Sequence, residues 1–164
     1  MGSDAALGDM VREAKVGGGC RAGGPDIRVG RGGGATARGV AVGAHPGFFG
    51  LRGFGRNRIK ETPARIERDV AYQIGALQAC AALAGARVTY VKAHGALANL
   101  SNAEEEIAQS IARAVAGVDR DLALVVMPGL PAECAAERAG LRAIRELYAE
   151  RGYDDDGTLA PRSL

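Results

Sequence analysis

Two histidines are the first candidates for chemistry in this sequence. His45 follows the apolar run Val40 to Ala44, and His94 follows the run that contains Tyr90 and Lys92; the chain has 2 histidines in all. Each histidine lies where a β-rich run ends and a glycine-containing loop begins. Ligand sites in parallel βα folds lie beyond the carboxyl ends of the strands, so a shared site for both imidazoles is one reading. The alternative is that each histidine only fixes its own loop by hydrogen bonding.

A cation accompanies the second histidine. Side chains alternate along a strand, so Tyr90, Lys92 and His94 are expected on one face, with Asn99 in the loop beyond. A lysine beside an imidazole can hold a carboxylate and move a proton. The two histidines show neither HxH nor HxxxH spacing, and a catalytic zinc site needs a third protein ligand. Metal binding therefore stays unknown.

Arginines follow the first histidine. Arg56 lies with Arg52 and Arg58 in the glycine-rich loop after His45. Anion binding is one interpretation of this loop, and an ordinary solvated loop is the other. The loop lacks the GK[ST] ending of a P-loop, so it is not predicted to cradle a nucleotide in that way.

The elements that must position these residues alternate between strand and helix. Strands are predicted at Val40 to Ala44, Arg87 to Lys92, Leu122 to Met127 and Leu141 to Tyr148. Helices are predicted from Thr62-Pro63 to Gly85, after a cap at Ser101 or Asn102, and from Pro131 to Ala139. Asp4 to Ala14 is a further candidate helix, and Gly17 to Gly34, with 9 of the 25 glycines, is predicted to be a flexible loop. This alternation predicts an α/β fold with parallel βα units.

Composition excludes several classes of function. The 164 residues carry 21 basic and 19 acidic side chains, which favours neither nucleic acid nor an anionic membrane surface as a partner. No apolar run is long enough to span a bilayer, and the N-terminus lacks a secretory pattern. The 3 cysteines are far apart and form no CxxC pair. We therefore expect a cytoplasmic protein without a disulfide scaffold.

Four stretches resemble successive motifs of the LamB/YcsF family: GVAVGAHPGFFGLRGFGR, YQIGAL, VKAHGALANL and DGTLAPRS. The resemblance runs in register from Met1 to Leu164. It implies a seven-stranded (β/α) barrel of the glycoside hydrolase/deacetylase type. It also implies the A subunit of ATP-dependent 5-oxoprolinase, which opens 5-oxo-L-proline to L-glutamate with ATP and with partner subunits B and C.

The resemblance also implies site residues. The catalytic candidates are His45, His94 and Lys92, and the substrate-binding candidates are Asn99 and Arg151. The loop residue Arg56 is a further substrate-binding candidate, because its guanidinium could hold an anion. A lactam amide is a poor electrophile, so coupling its hydrolysis to ATP is chemically sensible. The substrate carries a carboxylate that Lys92 or a loop arginine could hold.

Departures from the family pattern lead to further expectations. The family strand DLNCDxGE is missing, and its ACGFHAGDP corresponds to GGGCRAGGP here, with Arg21 in place of histidine and Gly24 in place of aspartate. We expect residues 1–164 to form a single incomplete barrel domain, truncated at both ends and degenerate over 17–34. Impaired activity is expected, as is self-association into a homo-oligomer through exposed strand edges. The alternatives are a metal-dependent deacetylase-like hydrolase and a non-catalytic remnant that binds the partner subunits.

Overall fold

A parallel sheet with helices between its strands makes up the fold. The computed structural model describes residues 12–17, 24–50 and 52–160. The strands are β1 (Glu13–Gly17), β2 (Ala41–His45), β3 (Val88–Val91), β4 (Ala123–Val126) and β5 (Ala143–Arg145). The helices are α1 (Pro25–Thr36), α2 (Pro63–Leu83), α3 (Gly95–Ala103), α4 (Glu105–Val118) and α5 (Pro131–Arg138). The strand order equals the chain order, and each neighbouring pair is parallel. The predicted α/β class is therefore confirmed.

The longest helix begins where the sequence predicts. Thr62 is its N-cap, and the side-chain oxygen accepts a hydrogen bond from the backbone N–H of Arg65, with Pro63 at the first helical position. Its stripe, which includes Val70, Ile74 and Leu77, is buried against the sheet. These side chains are at most 1 % exposed, so they lie at the centre of the core.

The sheet has two different faces. Apolar side chains such as Val16, Val42 and Leu124 pack in the core with the helices. The opposite face carries Lys15 and, beyond the end of β5, Glu146. The Lys15 Nζ atom lies 3.2 Å from the Glu146 Oε1 atom. In a flat sheet, four strand spacings of about 4.8 Å would separate β1 from β5 by about 19 Å. The sheet is therefore strongly curled, although seven strands are not confirmed within the described residues.

Two predictions near the N-terminus are wrong. Ala14 is predicted to end a helix, but Glu13–Gly17 is strand β1, because Ala14 and Val16 face the core with a period of two. The rest of that predicted helix, up to Val11, lies outside the described residues. The predicted Gly17 to Gly34 loop is wrong from Pro25 onward, where helix α1 runs to Thr36 and its buried Gly32 lies against Ala84 and Ala86. Residues 18–23 of that predicted loop lie outside the described residues. Packing of this helix offsets the low helix propensity of its glycines.

The cap predicted at Ser101 or Asn102 is also wrong, because both residues lie inside helix α3 and the N-cap of the following helix α4 is Glu104. Helix α3 begins at Gly95, so Asn99 is helical rather than in a loop. The carbonyl of Gly55 accepts the Ala96 N–H at 3.2 Å and so satisfies an amide at the start of the helix. The acceptor comes from a distant loop backbone, which leaves no side-chain signal in the local sequence. No helix within the described ranges is both long and apolar enough to cross a membrane.

Candidate active site

The two histidine rings are in direct contact at the carboxyl ends of β2 and β3. His94 Nδ1 lies 3.1 Å from His45 Nε2, and the rings meet edge to face with centroids 4.8 Å apart. His45 Nδ1 lies 2.7 Å from the backbone carbonyl oxygen of Lys92, and His94 Nε2 lies 2.8 Å from that of Phe54. The structure therefore brings together the two histidines that the strand-end pattern singled out.

A buried glutamine holds the loop that follows His45. The side-chain amide of Gln73 accepts the Gly47 N–H at 3.0 Å and donates to the Gly47 carbonyl at 2.9 Å. Gln73 is 1 % exposed, so this two-point contact is shielded from water. The preceding carbonyl, that of Pro46, accepts the His94 N–H at 2.8 Å. Gln73 thus fixes the backbone that connects the two histidines.

The glycine-rich loop at residues 52–58 covers the second histidine. The Phe54 ring meets the His94 ring edge to face at 5.5 Å, and the Arg56 guanidinium lies 5.8 Å from the Phe54 ring centroid. Phe54 has a positive φ of 50°, which costs a residue with a side chain about 1–2 kcal/mol. Gly95 has no room for a side chain, because a Cβ atom there would lie 2.7 Å from the Gly55 carbonyl oxygen. The loop therefore rests tightly on the start of α3 beside His94.

A charged cluster adjoins the histidines. Glu146 pairs with both Lys92 and Lys15, and the Lys92 Nζ lies 4.7 Å from the Tyr148 ring centroid. Burial opposes ionisation of Glu146, but the hydrogen bond and charge of Lys92, with help from Lys15, hold the pKa of Glu146 below its usual value. Burial, the Glu146 charge and a hydrogen bond to that carboxylate raise the pKa of Tyr148 to about 12. Two ammonium groups and one carboxylate leave the cluster with a net positive charge.

A small cleft, open to solvent, lies beside this cluster. Its polar lining comes from Lys92, Asn99, Ser101, Asn102, Glu146 and Tyr148. Neither imidazole is among the described residues that line it. The histidines are linked to the cleft through Lys92, whose carbonyl binds His45 and whose side chain faces the cleft. The arrangement can hold a small anion next to a pair of imidazoles.

Comparisons with known proteins give the family. The sequence matches the LamB/YcsF family over residues 1–164. This chain belongs to the LamB/YcsF family. It is 51 % identical over 161 residues to the A subunit of 5-oxoprolinase from Azorhizobium caulinodans, covering 98 % of this chain and 63 % of that protein. It is 48 % identical over 163 residues to the A subunit of 5-oxoprolinase from Rhodopseudomonas palustris strain BisA53, covering 99 % of this chain and 64 % of that protein.

A solved structure agrees with this assignment. The crystal structure of the lactam utilization protein from Thermus thermophilus superimposes with a TM-score of 0.93 at 43 % identity, covering 100 % of this chain and 66 % of that chain. This LamB/YcsF chain therefore spans slightly less than two thirds of the length of these relatives. The family resemblance predicted from the four motifs is confirmed.

The remaining predicted site residues have different surroundings. Asn99 lines the same cleft as Lys92. Arg56 lies near the Phe54 ring, which in turn contacts the His94 ring. Arg151 donates a hydrogen bond to the Ala160 carbonyl in the loop after β5, and it is not among the described residues that line the cleft. The substrate-binding roles of these three residues stay predictions.

Sequence reasoning missed three residues of the charged cluster. Glu146 and Tyr148 lie two residues apart at the end of the predicted strand Leu141 to Tyr148, so both side chains point to the same face. The same alternation predicted Lys92 beside His94, and it could have identified these two residues. Lys15 was hidden because it lies between the predicted helix that ends at Ala14 and the predicted glycine-rich loop. No group of three or more His, Cys, Asp and Glu side chains suited to a metal occurs in the part of the chain that the structure describes.

Proposed function

We propose that this chain acts as the A subunit of an ATP-dependent 5-oxoprolinase, which opens 5-oxo-L-proline to L-glutamate together with subunits B and C. The names of its relatives support the substrate class and the multi-subunit arrangement. The observation that carries the proposal is the contact between two imidazoles beside a net positive cluster at the carboxyl edge of the sheet. We further propose that the curled sheet forms part of a seven-stranded barrel, as its curvature favours.

The reaction has two chemical requirements. Water adds to the lactam carbonyl carbon, and the bond from that carbon to nitrogen breaks, so the leaving nitrogen must receive a proton. ATP is the proposed co-substrate, because its hydrolysis to ADP and phosphate drives the opening of an amide that is a poor electrophile. Binding the substrate's carboxylate fixes the ring so that proton donor and nitrogen are close together.

The described side chains suit these requirements. Lys92 is 9 % exposed and lies in the cleft, where it can hold the carboxylate of the substrate while Lys15 continues to pair with Glu146. Asn99 can offer an amide to the ring carbonyl or nitrogen from the same cleft. The histidines beside Lys92 can supply the proton to the leaving nitrogen.

Glutamate formation tests the proposal. The chain is mixed with subunits B and C, 5-oxo-L-proline and ATP, and glutamate is measured with each component omitted in turn. We expect glutamate to form only when all components are present; comparison with an intact A subunit measures the expected impairment. Glutamate formation that does not depend on the chain, together with no detectable binding of 5-oxo-L-proline to it, would overturn the proposal.

A pair of lysine variants locates the substrate. Lys92→Met removes a charged hydrogen bond worth about 1.5–3 kcal/mol, so KM should rise about 10- to 150-fold. Lys60→Met is the matched control, because Lys60 is exposed and lies outside the cleft. Equal KM values for the two variants would contradict the assignment of Lys92 to the substrate carboxylate.

A further inference from the structure

We propose that His45 and His94 hold one proton between them and act as a single acid–base unit, with His94 Nε2 as the atom that delivers a proton to the substrate. The sharing of the proton follows from hydrogen-bond geometry alone. The delivery step rests on the proposed function, and the experiment below separates the two.

Two backbone carbonyls set the ring tautomers. A carbonyl oxygen only accepts hydrogen bonds, so the nitrogen that faces it must carry a hydrogen. His45 Nδ1 faces the Lys92 carbonyl at 2.7 Å, and His94 Nε2 faces the Phe54 carbonyl at 2.8 Å. Both outer nitrogens are therefore N–H donors. In neutral rings the two inner nitrogens, His45 Nε2 and His94 Nδ1, would each present a lone pair.

The inner nitrogens are too close for two lone pairs. They lie 3.1 Å apart, which is hydrogen-bond distance, and two acceptors at that distance repel one another. One added proton converts the contact into an N–H···N hydrogen bond and makes the pair a single cation. All the N–H groups of that cation then have an acceptor: the Lys92 carbonyl, the Phe54 carbonyl and the partner ring.

Charges around the pair permit this proton. Among the described residues, the cationic groups on the neighbouring segments are Lys92 and Lys15, which pair with the carboxylate of Glu146, and Arg52, Arg56 and Arg58 of the loop, which are exposed to solvent. The Glu146 carboxylate compensates the buried ammonium group of Lys92, while water screens the more exposed ammonium group of Lys15 and the guanidinium groups. The hydrogen bonds of the imidazole pair are thus not opposed by an uncompensated buried cation in the described cluster.

The shared proton gives a balanced transfer step. The Nε2 proton of His94 passes to the lactam nitrogen while the bond from that nitrogen to the carbonyl carbon breaks and its electron pair moves to nitrogen. The proton between the rings moves onto His94 Nδ1, so the pair ends neutral, with His45 keeping its Nδ1 hydrogen. His94 Nε2 must first leave the Phe54 carbonyl, and the positive φ of 50° at Phe54 lowers the cost of moving that loop.

Nitrogen-15 NMR of the unmodified chain tests the shared proton. The chain has 2 histidines, so labelling with ring-¹⁵N histidine gives four ring signals without overlap from other residues. At neutral pH, without substrate or partner subunits, we expect two nitrogens of the N–H type and two of intermediate type that are coupled to each other across the hydrogen bond. Two nitrogens of the unprotonated type, or four of the fully protonated type, would overturn the proposal.

Variants and the enzymatic assay separate the two parts of the proposal. In His45→Gln, His94 should lose the intermediate signal and its nitrogen coupling while the ring signal itself remains. The NMR result does not depend on turnover, so it stands or falls separately from 5-oxoprolinase activity. With the full complex, the acid–base role predicts that the pH profile of kcat moves in His45→Gln; a loss of activity with an unchanged pH profile would overturn the delivery step and leave a structural role.

Discussion

Replacing Gln73 with leucine should destabilise the fold, because Gln73 is the buried clamp on the loop between the histidines. The side chain is 1 % exposed and makes two hydrogen bonds to the buried backbone of Gly47. Leucine keeps a similar volume but leaves the Gly47 N–H and carbonyl without this partner. Each unsatisfied buried group costs about 1–3 kcal/mol, and the extra apolar burial of leucine returns about 1 kcal/mol.

We expect the free energy of unfolding to fall by about 1–5 kcal/mol, a large share of the 5–15 kcal/mol that is typical of a domain. Urea unfolding followed by circular dichroism measures this change at an unchanged m value. Gln78→Leu is the matched control, since Gln78 lies on the same helix and is partly exposed; its effect should stay within about 0.5 kcal/mol. If the free energies of unfolding of the two variants differ by less than about 0.5 kcal/mol, the role of Gln73 as a clamp is refuted.

Three further predictions concern stability. The pKa of Glu146 is held below its usual value by Lys92, so its ionised form stabilises the fold at neutral pH and this contribution is lost as the pH falls through the lowered pKa. In Glu146→Gln, the urea midpoint should therefore depend less on pH between about pH 6 and about pH 3 than it does in the parent chain. Gly43→Ala should destabilise by about 1–3 kcal/mol or more, because its Cβ atom would lie 2.1 Å from the Tyr90 ring, and an unchanged melting temperature would contradict this contact. Gly75→Ala, within α2 and with no atom near the added methyl, should raise the free energy of unfolding by about 0.5–1 kcal/mol, and calorimetry that showed a decrease would contradict it.

The sequence was informative where local periodicity and strand ends carry the signal. The alternation Tyr90, Lys92, His94 and the apolar run before His45 predicted two side chains at the same edge of a parallel sheet, and the rings are in contact there. The Thr62-Pro63 signal placed the start of α2 correctly, because a cap and its proline are local features.

The sequence was uninformative where the partner is a distant backbone atom. The carbonyls of Lys92, Phe54 and Gly55 set the histidine tautomers and the start of α3, and a backbone carbonyl is the same in every residue type. Helix α1 was missed because its glycines lower local propensity, whereas packing of Gly32 against Ala84 depends on the tertiary structure. Lys15 and Glu146 meet across the curled sheet, a contact that local patterns do not contain.

The central claim is that both imidazoles and Lys92 serve one site for 5-oxo-L-proline. The most direct test is a titration of this ligand into the chain labelled at its 2 histidines, in which the ring ¹⁵N signals are recorded. The account predicts that both rings shift together with one dissociation constant, and that Lys92→Met weakens this constant about 10-fold or more while Lys60→Met does not. Rings that do not respond to the ligand, or a response from one ring alone, would contradict it.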